Sequence, residues 1–548
     1  MLRITEIKLP LSTSAEAGHT DAEIRAAVIK KLAINAADLI SFSIFKRGTD
    51  ARKSNAILLV YSLDVLINGE AKVLAKLTKD PHVKPTPDTN YQCVVNAQKH
   101  IKNRPIVIGF GPAGIFAALI LAQAGFKPIV LERGKAVRER TKDTWDFWRK
   151  NQLNPESNVQ FGEGGAGTFS DGKLWSQIKD PKHYGRKVLQ EFVAAGAPPE
   201  ILYLSHPHIG TFRLVGMVET MRNSITALGG EIRFNARVDD IQIENNAIKG
   251  VMLANGEQIA AQHVVLAVGH SARDTFEMLY RKGIYVEAKP FSIGFRIEHP
   301  QSLIDKARYG NSYSEDLISK LGAAEYKLVH HASNGRSVYS FCMCPGGTVV
   351  AAASEAGCVV TNGMSQYSRN ERNANAGIVV GITPEIDYPG DSNSPSPLAG
   401  VALQRQLESR AYVLGGSNYA APAQLIGDFL ENRPSQQFGE VTPSYAPSVH
   451  LTNLATALPE FAISAIREAI PAFAKQIEGY DLADGLLTGV ETRTSSPIRI
   501  KRDDETLQSI NTKGLYPCGE GAGYAGGILS AGVDGIRIAE AVMLDMTK

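Results

Sequence analysis

Two polar residues near the C-terminal end of the chain have the types and spacing of a substrate-binding pair. Glu491 and Arg493 alternate with small hydroxyl residues in the segment ETRTSSPIR. A guanidinium group can hold a carboxylate or a phosphate through two parallel hydrogen bonds. We therefore predict that Arg493 anchors an anionic group and that Glu491 lies beside it in a catalytic cavity. An internal Glu491–Arg493 ion pair that ties two domains together is the alternative.

A histidine could add acid–base chemistry to this pair. His208 lies in the polar turn HPHIGT, and an imidazole can take up or release a proton near neutral pH. We include His208 as the third candidate catalytic residue, with a purely structural role as the alternative.

Cysteine usage predicts a reducing compartment. The five cysteines are odd in number, and only Cys342 and Cys344 lie close together, in FCMCPGG. Neither C-x-x-C pairs nor clustered Cys and His at ligand spacing occur, so we predict no bound metal. Residues two apart on a strand face the same side, so this pair is either a catalytic dithiol or part of a packed wall.

A glycine-rich turn between two short apolar runs predicts a dinucleotide site. Gly109, Gly111 and Gly114 form a G-x-G-x-x-G pattern after the apolar run 106–108, and Glu132 ends the next apolar run. The first glycine allows a tight turn, the second lets a pyrophosphate approach, and the third allows close helix–strand packing. An acid at the position of Glu132 can accept hydrogen bonds from an adenosine ribose. The neighbouring residues that complete this predicted contact set are Pro112, Ala113 and Arg133.

Three later segments resemble FAD-binding elements of the large flavoprotein class related to glutathione reductase. GLYPCGEGAGYAGGILSAGV resembles its second FAD signature, and HVVLAVGHSARDT resembles the strand that returns beside the cofactor. The resemblance implies that Glu520, where the class usually has aspartate, binds the ribityl chain and that the backbone of Val238 contacts the adenine. The further FAD contacts that it implies are Gly269, Gly519, Gly526, Gly527 and Ile528.

The block FGEGGAGTFSDGKL at 161–174, together with HPHIGT, FCMCPGG and ETRTSSPIR, is similar to a bacterial family of FAD-dependent dehydrogenases. These proteins are also described as NAD(P)/FAD-dependent oxidoreductases, and the likeness implies FAD and redox chemistry without a known substrate. Backbone N–H groups of such a glycine-rich loop can surround a pyrophosphate or the polar edge of a flavin. We therefore add Gly165, Thr168 and Ser170 to the predicted FAD contacts.

The order of apolar runs and turns predicts an α/β protein in three parts. We expect a discontinuous Rossmann-like FAD-binding domain, 103–285 and 488–548, with a mixed α+β substrate or cap domain inserted at 286–487. Residues 1–88 have the βαββ order of a small ferredoxin-like α/β module, with a helix beginning near Asp21.

Together these features predict an FAD-dependent oxidoreductase, a dehydrogenase or a reductase, that passes a hydride between flavin N5 and a small substrate. No second G-x-G-x-x-G pattern follows a strand within 290–490, so any NAD(P)H has to dock transiently. A flavin-dependent monooxygenase is one alternative. An RNA-modifying or RNA-binding flavoprotein that uses the basic N-terminal module is another.

Composition and charge also predict the compartment of the protein and the kinds of partner that it lacks. A hydrophobic share of 44% and a charged share of 21% are typical of a globular protein, and no apolar run has the length of a membrane helix. The start MLRITEIKLPLSTS lacks the apolar core of a secretory signal, so we predict a cytoplasmic protein without membrane contact. Residues 1–104 carry 16 Lys and Arg against 10 Asp and Glu. They contain no Trp and no RNP1-like run, which argues against a nucleic-acid partner.

Overall fold

The computed structural model describes residues 1–11, 18–53, 56–98, 103–310, 314–390 and 396–548. These residues form a mixed α/β structure with one parallel sheet and several antiparallel or mixed sheets. None of the helices in these ranges combines the length and the hydropathy that a membrane crossing requires.

The N-terminal part is a four-stranded antiparallel sheet with two helices. Its elements are β1 (Leu2–Pro10), α1 (Asp21–Leu32), β2 (Leu39–Asp50), β3 (Leu58–Ile67), α2 (Glu70–Lys76) and β4 (Val83–Pro85). The strand order is β2-β3-β1-β4, and α1 begins at a capping box formed by Thr20 and Glu23. The predicted helix start at Asp21 is confirmed. Asn55, where the sequence predicts the start of the third strand, lies outside the described residues.

Backbone hydrogen bonds attach this module to the rest of the chain. The Arg47 N–H donates to the Tyr203 carbonyl at 2.6 Å, and the Ser205 N–H donates to the Arg47 carbonyl at 2.8 Å. The buried Ile57 belongs to the same hydrophobic core as the large mixed sheet described below. The N-terminal module is therefore packed against the main body.

The next part of the chain alternates short buried strands with helices. Its elements are β5 (Ile106–Ile108), α3 (Pro112–Gln123), β6 (Ile129–Leu131), α4 (Val137–Lys150), α5 (Tyr184–Ala194), α6 (Thr211–Ala227), β7 (Glu231–Arg233), β8 (Val238–Glu244), β9 (Ala247–Leu253), β10 (Gln258–Ala260), β11 (Val264–Leu266) and α7 (Arg273–Arg281). Strands β8, β9 and β10 form an antiparallel meander.

An eight-stranded mixed sheet follows. The elements of this region are β12 (Val286–Ala288), β13 (Phe291–Pro300), α8 (Gln301–Tyr309), α9 (Glu315–Leu321), β14 (Val329–His331), β15 (Ser337–Ala351), β16 (Thr361–Ser365), β17 (Asn373–Ile382), α10 (Pro384–Asp387), α11 (Ala399–Leu414), β18 (Ala421–Leu425), α12 (Ile426–Leu430), β19 (Val449–Leu451), α13 (Glu460–Ala474), β20 (Leu486–Glu491) and β21 (Ile498–Ile500). Seven strands follow the order β14-β15-β17-β13-β20-β18-β19, and β16 pairs with β15. Strand β13 is buried along almost its whole length and carries the charged Arg296 into that interior.

The C-terminal elements β22 (Leu515–Pro517) and α14 (Ile528–Met546) complete a five-stranded parallel sheet of order β22-β11-β5-β6-β7. Its three inner strands, β5, β6 and β11, are short and fully buried Ile, Val and Leu runs, as expected where a parallel sheet is covered on both faces. Helix α14 packs closely on α3, because a Cβ at Gly535 would lie only 2.3 Å from the Ala113 carbonyl oxygen. Because α3 follows β5 and α14 follows β22 in the same parallel sheet, the N-termini of both helices lie at the same end of the sheet.

Candidate functional site

A cavity of about 370 Å³ lies where the parallel sheet meets the mixed sheet. Its walls come from the loops after β5, β6, β11 and β22 and from residues of β15, β16 and β20. The carboxyl ends of parallel strands are the usual ligand site of open α/β sheets. The sequence-predicted residues that line it are Gly109, Gly111, Pro112, Ala113, Glu132, Arg133, Gly165, Ser170, Val238, Gly269, Glu491, Arg493, Glu520, Gly526, Gly527 and Ile528.

Four other predicted residues lie behind the wall. Gly114 packs against the turn after β5, and the Thr168 hydroxyl faces the buried Arg140 at 3.5 Å. The Gly519 N–H donates to Asp534. The His208 Nε2 hydrogen-bonds the Tyr367 carbonyl at 3.0 Å, and burial lowers the pKa of His208. The catalytic role of His208 stays a prediction.

The glycines of the site differ in what an added Cβ would meet. At Gly109 and Gly114 a Cβ would lie 2.3 Å from the Ala267 carbonyl oxygen and 2.0 Å from the Gly109 carbonyl oxygen, so backbone packing requires glycine at both. At Gly111 the nearest protein atom would be 3.6 Å away, and at Gly526 no described atom lies within 4 Å. Gly111 has φ −80°, which any residue can adopt. Its missing side chain therefore leaves room in the cavity itself.

Glu132 lies at the cavity wall, and its carboxylate is bonded to the backbone. Oε2 accepts from the Phe110 N–H at 2.8 Å, and Oε1 accepts from the N–H groups of Gly134 and Gly162, both at 2.9 Å. Glu132 thus ties the turn after β5 to the glycine-rich loop at 161–174. One lone pair of Oε2 remains for a ribose hydroxyl, as a carboxylate offers about four acceptor positions.

The glycine-rich loop is held from below by the fully buried Arg140 of α4. Its guanidinium donates to the carbonyl oxygens of Asn158, Val159 and Glu163 at 2.7 to 2.8 Å. Burial lowers the pKa of Arg140 to about 10, against the charges of Glu132 and Glu163. Because these carbonyl groups are fixed, the peptide N–H groups of the loop are also held in one orientation relative to the cavity.

Arg493 is paired with Glu408 of α11, and its predicted alternative partner Glu491 is not bonded to it. The Arg493 Nε and Nη2 donate to the two Glu408 oxygens at 3.1 and 2.9 Å, and Nη1 donates to Ser271 and Ser354. Arg273 donates to the same carboxylate at 2.6 and 3.0 Å. Four of the five N–H groups of Arg493 are engaged, which leaves one for a ligand.

Glu491 ends β20 and pairs with Arg296 of β13. The Arg296 Nε donates to Glu491 Oε2 at 2.7 Å, and both side chains are buried. Burial raises the pKa of Glu491, and Arg296 lowers it in part. Strand β20 ends at Glu491, so successive side chains after it no longer point to opposite faces of a strand. The neighbouring residues Arg493 and Thr494 therefore both line the cavity.

Glu520 is the acid at the opposite side of the cavity. Burial raises its pKa to about 8, although the nearby Lys289 ammonium lowers it in part. No hydrogen bond to its carboxylate is formed by the residues that the structure describes. A ligand hydroxyl is thus free to bond to it, as the resemblance to the second FAD signature implies for the ribityl chain.

Charged residues that sequence reasoning missed form the second layer of the site. Arg296 shares the otherwise mostly apolar segment FSIGFRIEHP with Glu298, and Glu408 follows Leu407 on the buried side of α11. A charged residue at a buried position of a strand or helix is a signal for an internal ion pair. The sequence contains that signal but not the identity of the partner.

One group of residues in the described ranges has metal-ligand types. Ligand atoms of Glu355, Cys358 and Glu408 lie within 4.8 Å of one another. Both carboxylates are already bonded to guanidinium groups, Glu408 to Arg273 and Arg493, and Glu355 to Arg273 and Arg405. A cation here would have to compete with these positive charges, so the cluster is a salt-bridge network.

Three family descriptions match parts of the chain. "FAD-dependent protein, C-terminal domain-like" matches residues 290–494, and "Flavin containing amine oxidoreductase" matches residues 147–289. "Domain of unknown function (DUF8436)" matches residues 1–66. The two flavoprotein matches together span residues 147–494. They therefore include the cavity residues of the glycine-rich loop and of the mixed sheet, but not those of the first glycine turn or of the C-terminal segment.

Two solved structures show a weak likeness. Glycine oxidase from Geobacillus kaustophilus is 11% identical, with a TM-score of 0.33 over 80% of this chain and 94% of that one. L-amino acid deaminase from Proteus vulgaris is 11% identical, with a TM-score of 0.25. The matched region is 37% of this chain and 62% of the deaminase, so this chain covers less than two thirds of that protein. Neither value assigns a substrate.

A protein of Clostridium beijerinckii, described as "Uncharacterized protein", is 48% identical over 517 residues, 94% of this chain and 95% of that protein. Identity at this level over nearly the whole length establishes common membership of one family. The chain therefore belongs to the same family as this clostridial protein, and the two flavoprotein matches support an FAD-dependent oxidoreductase.

Proposed function

We propose that the cavity binds FAD in an extended form and that the protein is a dehydrogenase or reductase for a small substrate with an anionic group. In this proposal the adenosine lies toward Glu132 and Val238, and the isoalloxazine lies toward Glu520 and Arg493. FAD supplies the hydride acceptor or donor at N5. The parallel sheet and its helices, from 103–285 and 488–548, form a Rossmann-like domain, and the mixed sheet forms the inserted substrate domain.

One observation carries this proposal: the N-termini of two helices open on the middle of the same cavity. Helices α3 and α14 have Gly111 and Gly527 as their N-cap residues, neither has a side-chain cap, and both glycines line the cavity. Free N–H groups and the positive end of a helix dipole favour a phosphate. Glycine at both positions leaves the backbone open, so these residues fit a pyrophosphate.

Near the proposed position of the isoalloxazine ring, side chains of the protein would orient the substrate and exclude water. Arg493 has one N–H left for an anionic group, and its fork to Glu408 fixes its direction. The buried Arg296–Glu491 pair walls off the neighbouring side of the cavity. Excluding water strengthens every electrostatic contact within such a site.

The test is a spectroscopic search under anaerobic conditions. The purified protein should release FAD on heating, and its flavin absorbance should bleach with one or more carboxylates from a panel of amino acids and hydroxy acids. The neutral amide of each reactive acid is the matched control and should reduce the flavin far more slowly. A protein without FAD, or one reduced equally fast by the amide, would contradict the proposal.

Replacing Glu132 with alanine should weaken FAD binding about tenfold to 150-fold. The change removes a charge-assisted acceptor worth about 1.5–3 kcal/mol and loosens the backbone that this carboxylate holds. The spectrum of the bound flavin should not change, since the predicted contact is at the ribose. The dissociation constant by equilibrium dialysis measures the effect, with the exposed Glu478→Ala as control. An unchanged constant would count against the ribose role.

Arg493→Lys should keep FAD and lower kcat/KM by about tenfold to 100-fold. An ammonium cannot reproduce the fork to Glu408 and point at a substrate anion at the same time. Steady-state kinetics with the acid identified by the panel measure the loss. The exposed Arg410→Lys serves as the matched control. Unchanged kinetics in Arg493→Lys would leave Arg493 only its structural pairing with Glu408.

A further inference from the structure

Two free cysteines of β15 lie side by side at the wall of the cavity. Cys342 lines the cavity, and Cys344 is fully buried two residues further along the strand. The Cys344 thiol donates to the Cys342 carbonyl oxygen at 3.3 Å. The second thiol is therefore folded back against the first residue, away from solvent.

The strand is irregular at this point. Pairing between β15 and β17 changes register between Phe341 and Cys344, and Cys342 has φ +43°. A left-handed conformation is strained for a non-glycine residue, and such residues concentrate at functional sites. The irregularity lies at the one residue of the pair that reaches the cavity.

Two cations, Lys173 and Arg296, lie near the pair, and each is also ion-paired with a carboxylate. The Arg296 Nη1 donates to the Cys342 carbonyl at 3.0 Å, and Lys173, whose ammonium lies 2.9 Å from Asp171, lines the same cavity. The neighbouring Cys344 thiol, followed by the charges of Lys173 and Arg296, holds the pKa of the Cys342 thiol well below its ordinary value despite burial. The Cys342 sulfur and burial in turn raise the pKa of the Cys344 thiol well above its ordinary value. One thiolate beside one thiol is the reactive form of a dithiol.

We infer that Cys342 and Cys344 are a redox-active pair that exchanges two electrons with the FAD of the proposed site. Oxidation forms a bond between the two Sγ atoms and releases the proton of the Cys344 thiol. The two electrons and this proton pass to oxidised FAD, which becomes the anionic two-electron-reduced flavin. The reverse transfer breaks the Sγ–Sγ bond and restores the Cys342 thiolate and the Cys344 thiol, so atoms and charge balance in both directions.

Anaerobic reductive titration tests this inference in the flavin-loaded protein. Wild-type protein is oxidised with excess ferricyanide, desalted and titrated with dithionite. It should take up four electrons per FAD, and Cys344→Ser should take up two, a halving. The exposed Cys93→Ser is the matched control and should still take up four. Uptake of two electrons by the wild type would overturn the inference.

Thiol counting gives a second readout that needs no variant. After the same oxidation, unfolding in iodoacetamide should modify three of the five cysteines. A protease that cleaves after Glu355 separates Cys358 from the pair, so mass spectrometry can locate the disulfide at Cys342 and Cys344. Modification of all five would overturn the inference. A protein that lacks flavin absorbance would instead overturn the proposed function, before any titration begins.

Discussion

Replacing Gly111 with valine is expected to give a folded protein without FAD. The backbone at Gly111 has φ −80°, and a Cβ there would meet no protein atom closer than 3.6 Å, so the apoprotein can accommodate the new side chain. The valine methyl groups would instead enter the cavity where the N-terminus of α3 opens. Blocking the pyrophosphate and its hydrogen bonds costs about 3–5 kcal/mol, on the order of a thousandfold in affinity.

The flavin-to-protein ratio after purification, together with circular dichroism, measures the effect of Gly111→Val. Gly381→Val on β17 is the matched control, because a Cβ there also meets no described atom within 4 Å and Gly381 is not at the cavity. It should keep a full complement of FAD. A Gly111→Val protein that copurified with as much flavin as this control would show that the pyrophosphate lies elsewhere.

Glu408→Gln should cause the largest loss of stability among single substitutions at the site. The Glu408 carboxylate is fully buried and accepts from Arg273, Arg493 and Thr492. An amide of the same shape leaves two buried guanidinium groups without the carboxylate that they share. Removing one partner of a buried ion pair costs about 3–5 kcal/mol, so the thermal midpoint of this 548-residue protein should fall by about 3 to 4 °C.

The pH dependence of that loss has a defined sign. Burial alone would raise the pKa of Glu408, but Arg273 and Arg493 outweigh it and lower the pKa from 4.5 to about 2. The ionised group thus stabilises the folded state above pH 4.5, and this contribution is lost as the pH falls toward 2. Calorimetry should therefore show a gap between wild type and Glu408→Gln that narrows below pH 4.5. Glu478→Gln, at an exposed position, should be as stable as the wild type at every pH. A stability difference between wild type and Glu408→Gln that stayed the same at every pH would refute the role given to the ionised Glu408.

The cavity residues from Gly109 to Glu132 could be predicted from the sequence because they lie close together along the chain. The turn from Gly109 to Gly114 and the acid at Glu132 belong to one strand–helix–strand unit, so their spacing alone predicts that they meet. The other side of the cavity depends on pairs between distant segments. Arg493 is bonded to Glu408 of α11 and Glu491 to Arg296 of β13, and no spacing rule relates either pair. The alternative that the sequence offered, an ion pair between Glu491 and Arg493, is not formed, because each residue is bonded to a distant partner.

The order of strands in the parallel sheet also constrains when the protein can acquire its cofactor. Strand β22 and helix α14 are synthesised about 400 residues after β5, yet α14 supplies the second helix N-terminus and packs on α3. A ribosome-bound chain therefore presents the apolar surface of α3 without its cover for most of translation. For the proposed FAD site we therefore expect loading to be late and post-translational, so that adding FAD during refolding speeds only the final docking of the C-terminal helix.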